Sequence, residues 1–123
     1  MELILAKEAY ANTLLAQVKA KRDLFSKFML SFNKFVTNTY SRGESTFVLR
    51  WKDFDKTEEL ATNEDLLGEI LNYVILAGYD VEFCYNGPSA YNPCGIIVAW
   101  GKEAEKDITV MFDLLDGVLW RGE

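Results

Sequence analysis

Residues 63–101 constrain the fold most, because helix capping, hydrophobic periodicity and turn residues agree there on one helix followed by two strands. Asn63 is a typical N-cap residue, and Glu64 and Asp65 place negative charge in the first turn, where it complements the helix dipole. Gly78 predicts the end of this helix. The segment therefore indicates an architecture and names no reaction.

After Gly78 the apolar residues recur at every second position, which is typical of a half-buried strand. One face carries Tyr79, Val81, Phe83 and Tyr85, and the other carries Asp80, Glu82 and Cys84. A polar loop at residues 86–93 joins this strand to a second one, Gly95–Trp100, so we predict a hairpin. Exposed loops of this kind often carry recognition residues.

The first 40 residues predict one long helix that begins near Leu5. Its apolar stripe consists of Leu14, Val18, Phe25, Phe28, Phe32 and either Phe35 or Val36. About 30 helical residues would span roughly 45 Å, which is long for this chain, so we expect part of the helix to pack on a second subunit. The alternative is a break near Asn12 and Thr13 or at Ser26, which would give two shorter helices around one core.

The remaining elements complete an α+β fold. Residues 46–51 alternate as a strand after a turn at residues 41–45. Residues 103–116 favour a helix, although the run ITVMF within them also has strand character. We therefore expect residues 1–123 to form a single domain, with a long N-terminal helix and a small, mainly antiparallel sheet of about three strands covered by helices.

Composition bounds the class of protein. Half of the 123 residues are hydrophobic and 14% are aromatic, which is enough for a packed core and argues against disorder. No apolar run approaches the roughly 20 residues that a membrane helix needs, and the first residues lack the pattern of a secretory signal. We therefore expect a cytoplasmic protein that does not bind membranes.

The net charge of −6 is unevenly divided along the chain. Residues 1–50 carry eight Lys or Arg against four Asp or Glu, a net of +4, and residues 51–123 carry five against fifteen, a net of −10. Such a division favours head-to-tail association of two copies or an acidic face for a basic partner, unless both portions are simply solvated. Direct binding of duplex nucleic acid is disfavoured, because the basic residues form no dense patch.

The residue that most often serves as a general base is missing, although Asp, Glu, Lys, Tyr or Cys could still carry an enzymatic reaction. The chain has no histidine, and its glycines form neither a phosphate loop nor a dinucleotide fingerprint, so we expect no catalytic residue and no cofactor. A calcium loop counted from Asp53 to Glu64 has oxygen-bearing residues at the right spacing, but Glu58 occupies its sixth position, where glycine is required. We therefore predict no metal site.

Two cysteines flank the hairpin loop. Cys84 lies late in the first strand of the hairpin, and Cys94 lies just before the second strand, so their sulfur atoms could come close enough to bond. In a reducing compartment two ordinary thiols are the favoured interpretation, and two cysteines without histidine make no zinc site.

Three segments, AKEAYANTL, LLGEILNYVILAGYDVEF and IIVAWG, resemble a pattern in small accessory proteins of tailed bacteriophages, and the likeness covers residues 3–101. In that pattern a long helix precedes a strand, a helix that ends in Gly-Tyr and a hairpin whose second strand ends in Trp. The resemblance implies a virus-encoded protein that acts inside a bacterium, and it supplies no catalytic motif.

Three functional hypotheses follow. The first is a non-enzymatic accessory protein that binds and inhibits a bacterial host or defence protein through an acidic and aromatic surface. The residues expected in that surface are Asp53, Asp55, Glu58, Glu59, Asp80, Glu82, Tyr85 and Tyr91. The second is an oligomeric module that binds a small anionic or nucleotide ligand through Arg42, Arg50, Tyr91 and Trp100. The third is a structural component of a virion.

Overall fold

The computed structural model describes residues 2–53, 64–87, 90–115 and 118–121. In chain order the elements are helix α1 (Ala6–Ser41), strand β1 (Thr46–Arg50), the 3₁₀ turn Trp51–Asp53, helix α2 (Glu64–Leu76), strands β2 (Asp80–Tyr85) and β3 (Gly95–Ala99), helix α3 (Ala104–Leu114) and strand β4 (Trp120–Arg121). This combination of helices with an antiparallel sheet confirms the predicted α+β class.

Helix α1 continues for 36 residues, which is about 54 Å at 1.5 Å per residue. The alternative of two shorter helices is therefore wrong. The Thr13 hydroxyl donates to the Ala9 carbonyl at 2.8 Å, so this polar residue is accommodated within the helix. The chain leaves the helix at Gly43, whose φ of 77° is a left-handed conformation that glycine adopts without steric cost.

The strands form one antiparallel sheet in the order β1-β3-β2-β4. The predicted hairpin of β2 and β3 is confirmed, with Val81 opposite Val98, and β1 pairs with the other side of β3. Strand β4 was not predicted; its two residues pair with the end of β2 and extend the sheet beyond the expected three strands. Because β3 is central and covered on both faces, all five of its residues are buried.

One face of the sheet packs against α1 and α2. Phe28 of α1, Leu49 of β1 and Ile70 of α2 are fully buried in this cluster. Phe32 contacts the rings of Phe47 and Tyr79 edge to face, at centroid distances of 5.7 and 5.1 Å. These contacts hold the C-terminal part of α1, from Leu24 onwards, against the sheet.

Helix α3 covers the other face of the sheet, which confirms the helix predicted for residues 103–116. Its buried residues, Ile108 and Phe112 among them, pack with Ile97 and Cys84. The prediction that β2 is buried on one face only is therefore wrong at Cys84, which is fully buried beneath α3. A cysteine that alternates with acidic residues predicts a row of side chains facing solvent. That prediction fails because α3, which lies far from β2 in sequence, packs on this row.

Helix α2 begins at Glu64 within the described residues, and the predicted cap Asn63 lies outside them. The predicted end of the helix is confirmed, since Gly78 has a φ of 103° immediately before β2. In the described part of the chain, no helix combines the length and apolar character needed to cross a membrane.

Candidate binding surfaces

The first candidate surface is a groove of about 590 Å³ at the outer side of β1, between the C-terminal end of α1 and helix α3. We call it the edge groove. Three cationic residues line it: Arg42 follows α1, Arg50 ends β1 and Lys52 lies in the 3₁₀ turn. The apolar lining consists of Phe35, Phe47, Val48, Met111 and Leu115. The two arginines of the predicted ligand site are therefore brought together by the fold.

The described lining of the edge groove carries a net positive charge within an acidic protein. Its described charged residues are the three cations and Glu44, a net of +2, whereas the whole chain carries −6. The Arg42 Nε atom lies 3.5 Å from Glu44 Oε1, but both side chains are more than half exposed, so this ion pair contributes little. The described lining of the groove therefore carries more positive than negative charge.

Two hydroxyl groups that line the edge groove are not available as hydrogen-bond donors to an anion. The Thr39 hydroxyl donates to the Phe35 carbonyl at 2.7 Å, and the Thr46 hydroxyl donates to the Val98 carbonyl at 3.0 Å. Because those protons are already engaged, an anion would be held by the cations and by the amide of Asn38, which also lines the groove.

Two residues of the predicted ligand site lie elsewhere. Trp100 is half-buried in the core, where its ring contacts Phe47 and Tyr79 at centroid distances of 5.9 and 5.8 Å. Tyr91 lines a different groove beside α2. The structure therefore unites Arg42 and Arg50 and separates them from both aromatic residues.

The second candidate surface is a groove of about 510 Å³ between α2, the end of β2 and the hairpin loop. We call it the tyrosine groove, because Tyr85 and Tyr91 both line it. Tyr91 is 98% exposed, and Asn72 and Asn92 add amide groups beside it. Two of the residues predicted to bind a partner thus meet in one place.

The predicted acidic residues do not join these tyrosines. Asp80 and Glu82 alternate with the Tyr85 row along β2, so they belong to the α3 side of the sheet. Glu82 Oε1 lies 3.8 Å from Arg121 Nε. Asp53 ends the 3₁₀ turn, and the predicted positions 55, 58 and 59 lie outside the described residues. Asp80 and Glu82 therefore lie on the face of the sheet opposite to that of the two tyrosines.

The third candidate surface is the arm, which we define as residues 6–23 of α1. Every residue of the arm is exposed, whereas the helix is held in the core from Leu24 onwards. Tyr10, Leu14 and Val18 are 66%, 44% and 49% exposed. At 100° per residue they lie on the side of the helix that buries Phe28 further along. The apolar stripe of α1 thus continues beyond the body of the protein without a covering element among the described residues.

The two cysteines are free thiols, with 3.8 Å between Cys84 Sγ and Cys94 Sγ. The Cys94 thiol also lies 3.4 Å from the Cys84 carbonyl, to which it donates. Burial raises the pKa of the Cys84 thiol, the charge and hydrogen bond of Cys94 raise it further, and the positive charge of Arg50 opposes them. Cys84 is therefore held in its neutral form and is a poor nucleophile or metal ligand.

No group of three or more potential metal ligands occurs among the described residues. The calcium-like spacing counted from Asp53 falls mostly on residues 54–63, which lie outside the described part. No protein-family model, no curated protein and no solved structure matches this chain.

Sequence reasoning missed Lys52 and the contribution of α3 to the edge groove. Lys52 follows Arg50 by two residues, a spacing that would have drawn attention to a shared strand face. No local signal could place Met111 and Leu115 beside β1, because those contacts depend on how α3 crosses the sheet.

Proposed function

We propose that this protein is a non-enzymatic binding module whose ligand is anionic and binds in the edge groove. The observation that supports this function is the convergence of Arg42, Arg50 and Lys52 in one groove with an apolar lining. Its volume falls within the range of small-ligand sites, about 300–1,000 Å³, and guanidinium groups bind carboxylates and phosphates through paired hydrogen bonds. The absence of histidine throughout the chain fits binding better than turnover.

The module is also proposed to self-associate through the arm. An exposed apolar stripe at Tyr10, Leu14 and Val18 is the kind of surface that oligomers cover. The positive portion of the chain includes the arm, and the negative portion includes α2, so charge attraction would speed the encounter of two copies, while the apolar stripe supplies the affinity.

Isothermal titration calorimetry with inorganic pyrophosphate and adenosine diphosphate tests the anionic site. The double variant Arg42→Gln/Lys52→Gln is expected to weaken binding about tenfold or more, because each charged hydrogen bond contributes roughly 1.5–3 kcal/mol. The matched control is Lys102→Gln/Lys106→Gln, which removes the same charge at two exposed positions outside the groove. Equal weakening of anion binding in both variants would contradict the proposed site.

A second candidate is an accessory protein that binds and inhibits a bacterial host or defence protein in the cytoplasm. The tyrosine groove favours it, because exposed aromatic residues are frequent anchors of protein interfaces. The resemblance to small proteins of tailed bacteriophages supplies the biological setting. The acidic residues Asp80 and Glu82 would then form a separate surface on the opposite face.

Affinity capture from a bacterial lysate, with partners identified by mass spectrometry, tests this second function through two single variants. Tyr91→Ala removes the aromatic group from the tyrosine groove, and Asp80→Lys reverses an exposed charge on the opposite face. A stoichiometric partner lost with one variant identifies the surface used. A partner that tolerates both variants would count against this function, and abundance in purified virus particles would favour a virion component.

A further inference from the structure

Strand β1 presents an open edge to the edge groove. It is the last strand of the sheet on its side, and among the described residues no strand lies beyond it. The Trp100 amide donates to the Ser45 carbonyl at 3.0 Å, and the Trp51 amide donates to the Cys94 carbonyl at 2.9 Å. Ser45 and Trp51, which flank β1, are both odd-numbered and bond to the β3 side. Because pairing alternates along an antiparallel ladder, the odd-numbered residues of β1 exchange main-chain hydrogen bonds with β3.

The alternation of antiparallel pairing then fixes the direction of the other main-chain groups. The amide and carbonyl groups of Thr46 and Val48 point away from β3, and both residues line the edge groove. An exposed row of such groups is a template for another strand. The groove thus offers main-chain hydrogen bonds as well as charge.

The charges of the edge groove select the occupant. Lysine and arginine at a strand edge keep a second copy of the same edge away, because like charges would face one another. Arg42, Arg50 and Lys52 therefore disfavour pairing of two β1 strands and favour an acidic segment.

The shape of the edge groove fits an extended chain. Strand β1 has five residues, which span about 17 Å at roughly 3.3 Å per residue. Side chains of an added strand would alternate between two apolar walls, one formed by Phe35 and Phe47 and the other by Met111 and Leu115. A compact anion would contact the cations without using these walls or the strand edge.

We propose that the ligand of the edge groove is an extended acidic peptide of another protein, which adds to β1 as a further strand. This inference rests on the proposed function and names the class of its ligand. Main-chain hydrogen bonds to Thr46 and Val48 would supply affinity, and carboxylates facing Arg42, Arg50 and Lys52 would supply selectivity.

The test compares the binding of four probes to the full chain by calorimetry. The first is an acetylated and amidated heptapeptide of alternating Glu and Val, and the second is the same peptide N-methylated at its three central residues. The third has Lys in place of each Glu, and the fourth is inorganic pyrophosphate. We expect the Glu peptide to bind at least about tenfold more tightly than the N-methylated form, which keeps every charge but loses edge hydrogen bonds. The Lys peptide is expected not to bind.

Amide hydrogen exchange followed by NMR provides a second readout. The acidic peptide is expected to slow exchange at Thr46 and Val48, while pyrophosphate leaves those amides unprotected. The variant Val48→Pro removes one edge amide that β3 does not use and is expected to weaken binding of the acidic peptide. The N-methylated peptide keeps the test decisive if this variant does not fold.

The outcomes separate the inference from the function on which it rests. If pyrophosphate binds and the Glu peptide binds no better than its N-methylated form, the anionic site stands and strand addition is wrong. If the peptide and pyrophosphate both fail to bind, the proposed function is wrong as well. Tight peptide binding with protection of Thr46 and Val48 supports both.

Discussion

At the scale of single residues, Gly95 is a position where β1 and β3 approach each other closely. It pairs with Arg50 in the register, and a Cβ atom added to it would collide with the Leu49 carbonyl oxygen and lie 2.8 Å from the Arg50 Cα atom. Both neighbours are backbone atoms, so neither can rotate away. A side chain at this position would push apart the two strands that carry the edge groove.

We expect Gly95→Ala to lower the free energy of unfolding by about 1–3 kcal/mol, the usual effect of overpacking a close contact. Urea denaturation monitored by tryptophan fluorescence measures the change. The control is Gly68→Ala in α2, where, apart from the neighbouring residues and the backbone of the helix itself, no described atom lies within 4 Å of the new Cβ atom. That substitution is expected to stabilise the protein by about 0.5–1 kcal/mol through helix propensity. Equal stability of the Gly95 variant and the parent would contradict the prediction.

The buried thiol of Cys84 predicts a loss of stability at high pH. Burial raises its pKa in the folded protein, so from roughly pH 8.5 upwards the unfolded chain loses this proton while the folded chain retains it. The unfolded state then binds fewer protons, and the free energy of unfolding falls with rising pH, by up to about 1.4 kcal/mol per pH unit. Below the ordinary thiol pKa this contribution to stability is fully present.

Urea denaturation between about pH 7.5 and about pH 10 measures this slope. Cys84→Ala removes the titrating group while Cys94 remains, so the slope of the variant is expected to be shallower than that of the parent. Parallel slopes would show that Cys84 does not control this part of the pH dependence. In the parent, we also expect a thiol-alkylating reagent to modify the partly exposed Cys94 before the fully buried Cys84.

At the scale of elements, α1 combines an anchored part and an arm. The aromatic core packs on the helix between Leu24 and Val36, whereas every residue of the arm is exposed. The arm therefore depends for its stability on helix propagation or on an intermolecular partner. Its apolar stripe favours the partner.

We expect the protein to be a dimer or larger oligomer that Leu14→Glu/Val18→Glu converts to a monomer, because two buried carboxylates would face the apolar contact. Size-exclusion chromatography with multi-angle light scattering measures the mass. The matched control, Asn12→Glu/Ala16→Glu, adds two carboxylates at the same four-residue spacing on the opposite side of the exposed arm. A parent protein that is monomeric at every concentration measured would contradict self-association through the arm.

Local signals predicted most elements but not the surfaces. The helices, the first three strands and the stop at Gly78 follow from periodicity and turn residues, and the structure contains them. The two-residue strand β4 is too short to produce a period. Trp100 was expected beside a ligand because of its position near the loop, yet packing against Phe47 and Tyr79 places it in the core.

The edge groove could be predicted only in part, because packing between residues far apart in sequence forms it. Arg42 and Arg50 were recognised as cations suited to an anion, which their residue type alone indicates. Their meeting with Lys52 and α3 depends on contacts between residues far apart in sequence. Alternation along β2 correctly separated the Tyr85 row from the Glu82 row. It could not show that an acidic and aromatic surface would be divided between opposite faces of the sheet.

At the scale of the whole molecule, the uneven charge division gives the two proposed interactions opposite responses to salt. The described lining of the edge groove has a net charge of +2, and its attraction for an anion is mainly electrostatic, which salt screens. The arm stripe is apolar, and burial of apolar surface is insensitive to screening. Raising NaCl from about 50 mM to about 500 mM shortens the Debye length from roughly 14 Å to roughly 4 Å.

We therefore expect pyrophosphate binding to weaken by about tenfold or more while the oligomer mass stays constant. Calorimetry and light scattering on the same salt series measure both quantities. If the oligomer dissociates in parallel with the loss of pyrophosphate, association between copies is electrostatic and head to tail, and the apolar stripe of the arm is not its main contact.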